Sequence, residues 1–85
     1  LIAVQFTAGA KADLAKLDPQ VAQRILKRIR WLAENLGQIS PEPLVGDWQG
    51  FFKLRIGDYR AIYTVQDENR MVFHVIRHRR EVYKP

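Results

Sequence analysis

The stretch Phe52-Lys53-Leu54-Arg55-Ile56-Gly57-Asp58-Tyr59-Arg60-Ala61-Ile62-Tyr63 decides how this chain folds. Apolar and polar residues alternate on either side of Gly57-Asp58, the period of half-buried strands, and a Gly-Asp pair between two such runs is a two-residue hairpin turn. The pairing puts Ile56 opposite Tyr59, Arg55 opposite Arg60, Leu54 opposite Ala61 and Lys53 opposite Ile62. Successive side chains alternate in direction. Lys53, Arg55 and Arg60 therefore share one face, and Phe52, Leu54, Ile56, Ala61 and Tyr63 share the other.

Downstream, Tyr59 to Gln66 completes the second strand, Asp67 to Arg70 is a polar turn, and Met71 to about Arg77 is a third strand. A two- or four-residue turn centred on Glu68-Asn69 keeps the register and brings Arg77 opposite Arg60, whereas a one-residue slip carries it away. In that register four cations meet on one face, and His74 falls on the core face as a structural residue. Like charges across a ladder repel. Such a face either pairs with Glu42, Asp47 or Asp58, or is built to receive phosphate, for which Arg offers a bidentate fork and Lys a mobile point charge.

Upstream, Leu1 to Phe6 reads as a strand, and Thr7 is a good N-cap for an alanine-rich helix from Ala8 to Leu17. Asp18-Pro19 starts a second helix, because Asp accepts from the free N–H groups of the first turn and Pro at the first position loses no hydrogen bond. Val21, Ile25, Ile29, Leu32 and Leu36 form its buried stripe, which Gly37 is expected to end in a left-handed cap. The opposite face carries Arg24, Lys27 and Trp31. An exposed tryptophan there marks a docking surface; packing beneath the following loop is the alternative. Residues 38–50, with Pro41, Pro43, Gly46 and Gly50, read as a loop. The expected fold is one α+β domain over residues 1–85: an N-terminal strand, a helical hairpin, and a three-stranded antiparallel meander with helices on one face.

With 85 residues, 47% of them apolar and 27% charged, the chain fits one small soluble domain and no large cavity. The absence of cysteine excludes disulfides, thiolate zinc sites and a cysteine nucleophile, and His74 and His78 cannot hold a metal alone. Neither metal nor cofactor is expected. No apolar run approaches the ~18 residues of a membrane span, so a cytoplasmic protein without a membrane partner is expected. Because the chain opens on Leu1, a few residues are expected to precede it.

The net charge of +5, with a pI near 10.0, points to a polyanionic or acidic partner. Residues 1–50 carry six basic and five acidic side chains, residues 51–85 eight and four. The charge is therefore concentrated in the meander and in the tail Arg77-His78-Arg79-Arg80-Glu81-Val82-Tyr83-Lys84-Pro85. Cations interleaved with an aromatic suit single-stranded nucleic acid, because the cations take phosphates and the ring stacks on a base.

Three segments, Leu44-Val45-Gly46, the hairpin with its Gly57-Asp58-Tyr59-Arg60 turn, and His78-Arg79-Arg80-Glu81-Val82-Tyr83, resemble the RelE/ParE superfamily of toxin–antitoxin toxins. The resemblance covers nearly the whole chain and keeps the element order. It implies a compact α+β fold like that of small microbial ribonucleases. In the RelE branch it implies metal-independent cleavage of messenger RNA in the ribosomal A site, the 2′-hydroxyl attacking the adjacent phosphate, and inhibited translation. By position, Lys53 is similar to a basic residue near the 2′-hydroxyl, Arg60 to the arginine that stabilises the phosphorane, and Tyr83 to an aromatic that stacks on or orients a base. The general acid falls to Arg77, Arg79 or His78, and Arg55 and Arg80 are expected to bind RNA. The match departs at Phe51, where some RelE toxins carry a second lysine.

The terminal tyrosine resembles the RelE branch more than the ParE branch, whose members inhibit DNA gyrase without nuclease activity. A basic RNA-binding module without catalysis is a third reading. Either toxin reading implies a cognate antitoxin, whose acidic or amphipathic segment docks on the helical hairpin at Trp31, Arg24, Lys27 and Arg28. The ribosome and messenger RNA are the other expected partners, and a toxin–antitoxin hetero-oligomer on operator DNA is the expected assembly.

Overall fold

Gly57 takes a left-handed φ of 58°, and around it the hairpin closes in the register read from its alternation, with Arg55 opposite Arg60 and Lys53 opposite Ile62. The computed structural model describes residues 2–84. Its elements are β1 (Ala3–Phe6), α1 (Ala8–Ala15), α2 (Pro19–Asn35), β2 (Glu42–Pro43), β3 (Phe52–Ile56), β4 (Tyr59–Gln66) and β5 (Arg70–His78). The expected meander β3-β4-β5 is the centre of a five-stranded sheet ordered β1-β5-β4-β3-β2. β1 runs parallel to β5, and β2 adds a two-residue antiparallel edge to β3. The sheet is thus mixed. Nothing local announces β1's partner, because the helices and three strands separate the two in sequence.

The second turn differs from expectation and then corrects itself. Gln66 pairs with Arg70, leaving a three-residue loop in which Asp67 and Glu68 take left-handed φ values of 55° and 64°. That loop shifts the ladder by one residue. A β-bulge restores it: Tyr63 pairs with Phe73 but Ile62 pairs with Val75, so His74 is the extra residue and Arg77 arrives opposite Arg60. The bulge also overturns the facing read for His74. Phe73 enters the core against Phe6 and Tyr63, while the His74 ring turns to the cationic side, where Nε2 meets Thr64 Oγ1 at 3.0 Å and the ring packs edge-on against Phe51.

Both helices start as their caps dictate. Thr7 Oγ1 accepts from the Ala10 N–H at 3.1 Å, and Asp18 Oδ1 accepts from the Gln20 N–H at 2.8 Å. From α2, Ile25, Ile29 and Leu32 are buried against Leu54, Ile56, Ala61, Met71, Phe73 and Ile76 of the sheet. Each such side chain contributes roughly 1.5–3 kcal/mol of apolar burial. Gly37 does not take the left-handed cap conformation; α2 instead tightens into a 3-10 turn over Leu36–Gln38, which satisfies its last carbonyls differently.

The other sheet face is partly covered too. Ile62, on the Lys53 side, is fully buried, and Val82 nearly so, yet neither belongs to the core under the helices. The loop before β3 and the turn after β5 meet where Trp48 packs against Tyr83. At the opposite edge β1 pairs with β5 only as far as Phe73. Beyond it α1 takes over, and Asp13 Oδ2 accepts the Ile76 N–H at 3.0 Å.

Candidate nucleic-acid interface

β3, β4 and β5 place Arg55, Arg60 and Arg77 side by side in one row, with Lys53 two residues along β3. The two outer arginines each have a carboxylate. Glu42, on β2, faces Lys53 across the edge ladder, and its Oε1 lies 3.3 Å from Arg55 Nη2 and 3.7 Å from Lys53 Nζ. Asp13, from α1, lies 3.2 Å from Arg77 Nε. Arg60, between them, has no carboxylate among the described residues; its Nη1 donates to the carbonyls of Gly57 and Tyr59, both at 2.8 Å. The repulsion foreseen for this row is therefore compensated from its two ends and concentrated at its centre. Exposed pairs such as Arg55–Glu42 contribute roughly 0–1 kcal/mol, so this pair adds little to the stability of the fold.

Tyr83 stands on the rim, 48% exposed. Its ring meets Trp48 at 5.9 Å between centroids and 66°, and Trp48 in turn meets Phe51 at 5.4 Å. Phe51 thus belongs to an aromatic shelf running from His74 to Tyr83, rather than to the cationic row. Trp48 escaped the sequence reading, although an aromatic between Gly46 and Gly50 was the available signal.

The other tail residues do not join the row. His78 alternates to the helix side, edge-on to Tyr59 at 5.5 Å, and its Nδ1 accepts the Arg80 N–H. Arg79 turns to the β3–β4 hairpin, its N–H donating to the Asp58 carbonyl at 2.8 Å and its Nε 3.9 Å from Asp58 Oδ1. Arg80 is exposed. Of the three residues read as general acids, Arg77 is the one that stands beside Arg60. Asp13 was not singled out from sequence. The clue was its spacing of three from Ala10, which places both on one helix face.

On α2 the outward face carries Trp31, 41% exposed, with the Arg28 guanidinium 4.2 Å above its ring. Arg24 and Lys27 are exposed beside it. A separate apolar groove of about 690 Å³ lies between β1 and α2, lined in part by Val4, Phe6, Leu26 and Ala33. Burial lowers the pKa of His74 below its ordinary value and pushes the Tyr63 hydroxyl up to about 12. No helix is long and apolar enough to cross a membrane, and no three His, Asp or Glu side chains gather among the described residues.

Residues 4–83 match the family model described as the ParE toxin of the type II toxin–antitoxin system, parDE. Toxin RelG of Mycobacterium tuberculosis is 33% identical over 88 residues, covering 95% of this chain and 94% of RelG. In the RelBE2 toxin–antitoxin complex of the same organism, a chain 29% identical superposes with a TM-score of 0.81, over 91% of this chain and 96% of that one. The isolated RelE toxin of E. coli, 21% identical, shares the fold at a TM-score of 0.75 over 92% of this chain and 84% of RelE. Matched nearly end to end in both sequence and architecture, the chain belongs to the RelE/ParE superfamily of type II toxin–antitoxin toxins.

Proposed function

We propose that this toxin is an endoribonuclease that cuts messenger RNA in the ribosomal A site without a metal ion. The observation that carries the reading is the row Arg55-Arg60-Arg77, with one accessible carboxylate, Glu42, held between Lys53 and Arg55. Cleavage by an adjacent 2′-hydroxyl requires a base for its proton, cations for the pentavalent phosphate and stabilisation of the departing 5′-oxygen. Glu42 accepts the proton and Lys53 stabilises the alkoxide as the O2′–P bond forms. Arg60 keeps Nε and Nη2 for the non-bridging oxygens. Arg77 faces the 5′-oxygen as the P–O5′ bond breaks; because guanidinium is a reluctant acid, Arg77 acts first by charge, and the proton reaches that oxygen from it or from water. Tyr83 offers its exposed face to a base, while Arg55 binds the flanking backbone.

A cognate antitoxin completes the reading, as RelBE2 is a toxin–antitoxin complex. Its acidic or amphipathic segment would dock on the outward face of α2 at Trp31, Arg24, Lys27 and Arg28, in a hetero-oligomer that binds operator DNA. The test incubates the purified toxin with programmed ribosomes and, separately, with DNA gyrase. Cuts within the A-site codon are expected. Gyrase-dependent DNA breaks with intact messenger RNA would overturn the nuclease reading in favour of a ParE-like inhibitor.

A further inference from the structure

We propose that Asp13 is a positioning residue, whose buried carboxylate on α1 aims Arg77 at the scissile phosphate and ties that aim to the C-terminal turn. The proposal rests on the nuclease reading for what Arg77 does, but the contacts that carry it stand independently. Asp13 is the one buried charged side chain among the described residues, 6% exposed. A carboxylate is costly to bury without compensation. One of its tasks is structural, because Oδ2 satisfies the Ile76 N–H at 3.0 Å on the edge of β5 that β1 leaves open. An uncharged acceptor would serve there equally well.

The charge is explained by Arg77. Its Nε lies 3.2 Å from Oδ1 and 3.3 Å from Oδ2 of Asp13, and its Nη1 donates to the Lys84 carbonyl at 3.3 Å. Guanidinium is planar with five N–H donors. Two points of attachment, at Nε and Nη1, fix its plane; one Nη2 hydrogen shares the Nε edge beside Asp13, and the outward Nη2 hydrogen and one of Nη1 remain without a partner among the described residues. Those donors form the fork that recognises a phosphate or departing alkoxide. Lys84 follows Tyr83, so the same guanidinium also sets the end of the segment that presents the exposed ring. Arg60 contrasts with this arrangement, since it is bonded only to carbonyls of its own hairpin.

Asp13→Asn keeps the shape and an acceptor for Ile76 but removes the charge that Arg77 meets. Single-turnover cleavage on programmed ribosomes is expected to fall about 10- to 100-fold, the loss that misplacing a reacting group produces, with half-saturation changing less than about threefold. In an Arg77→Ala background, Asp13→Asn should cost nothing more. The second readout needs no activity: the ¹⁵N-labelled Arg77 Nε–H should give a slowly exchanging resonance in the parent toxin and lose it in Asp13→Asn, while the Ile76 amide stays protected. Losses that multiply in the double variant, or full cleavage by Asp13→Asn, would overturn the proposal. So would a fast-exchanging Arg77 Nε–H in the parent protein, a measurement that stands even if Asp13→Asn does not fold. Should the parent cut no RNA, the nuclease reading fails alone, and the Nε–H exchange still decides whether Asp13 holds Arg77.

Discussion

Arg60 and Arg77 stand directly opposite one another on β4 and β5, and only Arg77 has a carboxylate beside it. The positive potential of the row is therefore least compensated at Arg60, the cation proposed to meet the pentavalent phosphate. The aspartate that steadies Arg77 comes from the helical layer and the glutamate that screens Arg55 comes from the sheet edge, so opposite sides of the fold converge on one central cation.

Arg60→Ala should abolish cleavage with little change in stability. Two hydrogen bonds to carbonyls are lost, each worth about 0.5–1.5 kcal/mol, but repulsion from Arg55 and Arg77 is relieved. Removal of one preorganised donor to a developing charge typically costs ~3–4 kcal/mol, or about a hundred- to a thousandfold in rate. Cleavage within about threefold of the parent, measured on programmed ribosomes, would remove Arg60 from the phosphate site.

Glu42→Gln separates charge from shape at the proposed base. Cleavage should drop by roughly 10²- to 10⁴-fold, the usual contribution of a positioned base, while affinity for an RNA lacking the 2′-hydroxyl at the cut site holds or rises. A rate that follows affinity instead would make Glu42 an electrostatic screen for Lys53 and Arg55.

The Trp48–Tyr83 contact predicts coupled losses. Tyr83→Ala removes a base-stacking contact worth ~1–3 kcal/mol, and Trp48→Ala releases the ring that orients it. A double-mutant cycle on cleavage should show a coupling of about 0.5–1.5 kcal/mol. Tyr83→Phe should cut nearly as well as the parent; equal losses in Phe and Ala variants would assign the role to the hydroxyl. Neither Tyr83 variant should shift the unfolding midpoint by more than an exposed side chain warrants.

Trp31→Ala should weaken the antitoxin complex by more than ~1 kcal/mol, as truncation of a central aromatic anchor does, and leave cleavage by the free toxin unchanged. Calorimetric titration of the antitoxin into each toxin checks it. An unaltered dissociation constant would place the antitoxin elsewhere, with the groove between β1 and α2 the next surface to probe.

His74 should make the fold acid-sensitive. Burial lowers its pKa from the ordinary 6.5 in the native state, so as pH falls the unfolded chain binds the proton first. Stability should therefore decline from about pH 6.5 downward and level off below the native value. Urea midpoints at several pH values, compared with those of His74→Gln, isolate the contribution. An identical acid slope in the variant would show that His74 titrates as a solvent-exposed imidazole.

Much of the site could be read before any coordinates because it is built from one hairpin. Gly57-Asp58 sets the turn, the turn sets the register, and alternation sorts Lys53, Arg55 and Arg60 to one face. The stripe from Val21 to Leu36 and the caps at Thr7 and Asp18 are equally local. What escaped is non-local. β1 finds β5 only through the tertiary fold, Asp13 reaches Arg77 across 64 positions of sequence, and Trp48 meets Tyr83 from a distant loop. The resemblance names His78 and Arg79 beside Arg77 as general acids, but it carries no facing: the alternation of β5 puts His78 against Tyr59 and Asp58 holds Arg79.

The bulge at His74 has a consequence for how this surface can vary. The loop Asp67–Asn69 and the extra residue in β5 are two one-residue offsets of opposite sense. Lengthening or shortening the loop alone would rotate the outer half of β5 and trade Arg77 for a neighbour on the cationic row. Residues 67–74 must therefore change together or hardly at all, and the length of a remote turn becomes an inherited constraint on which side chain stands opposite Arg60.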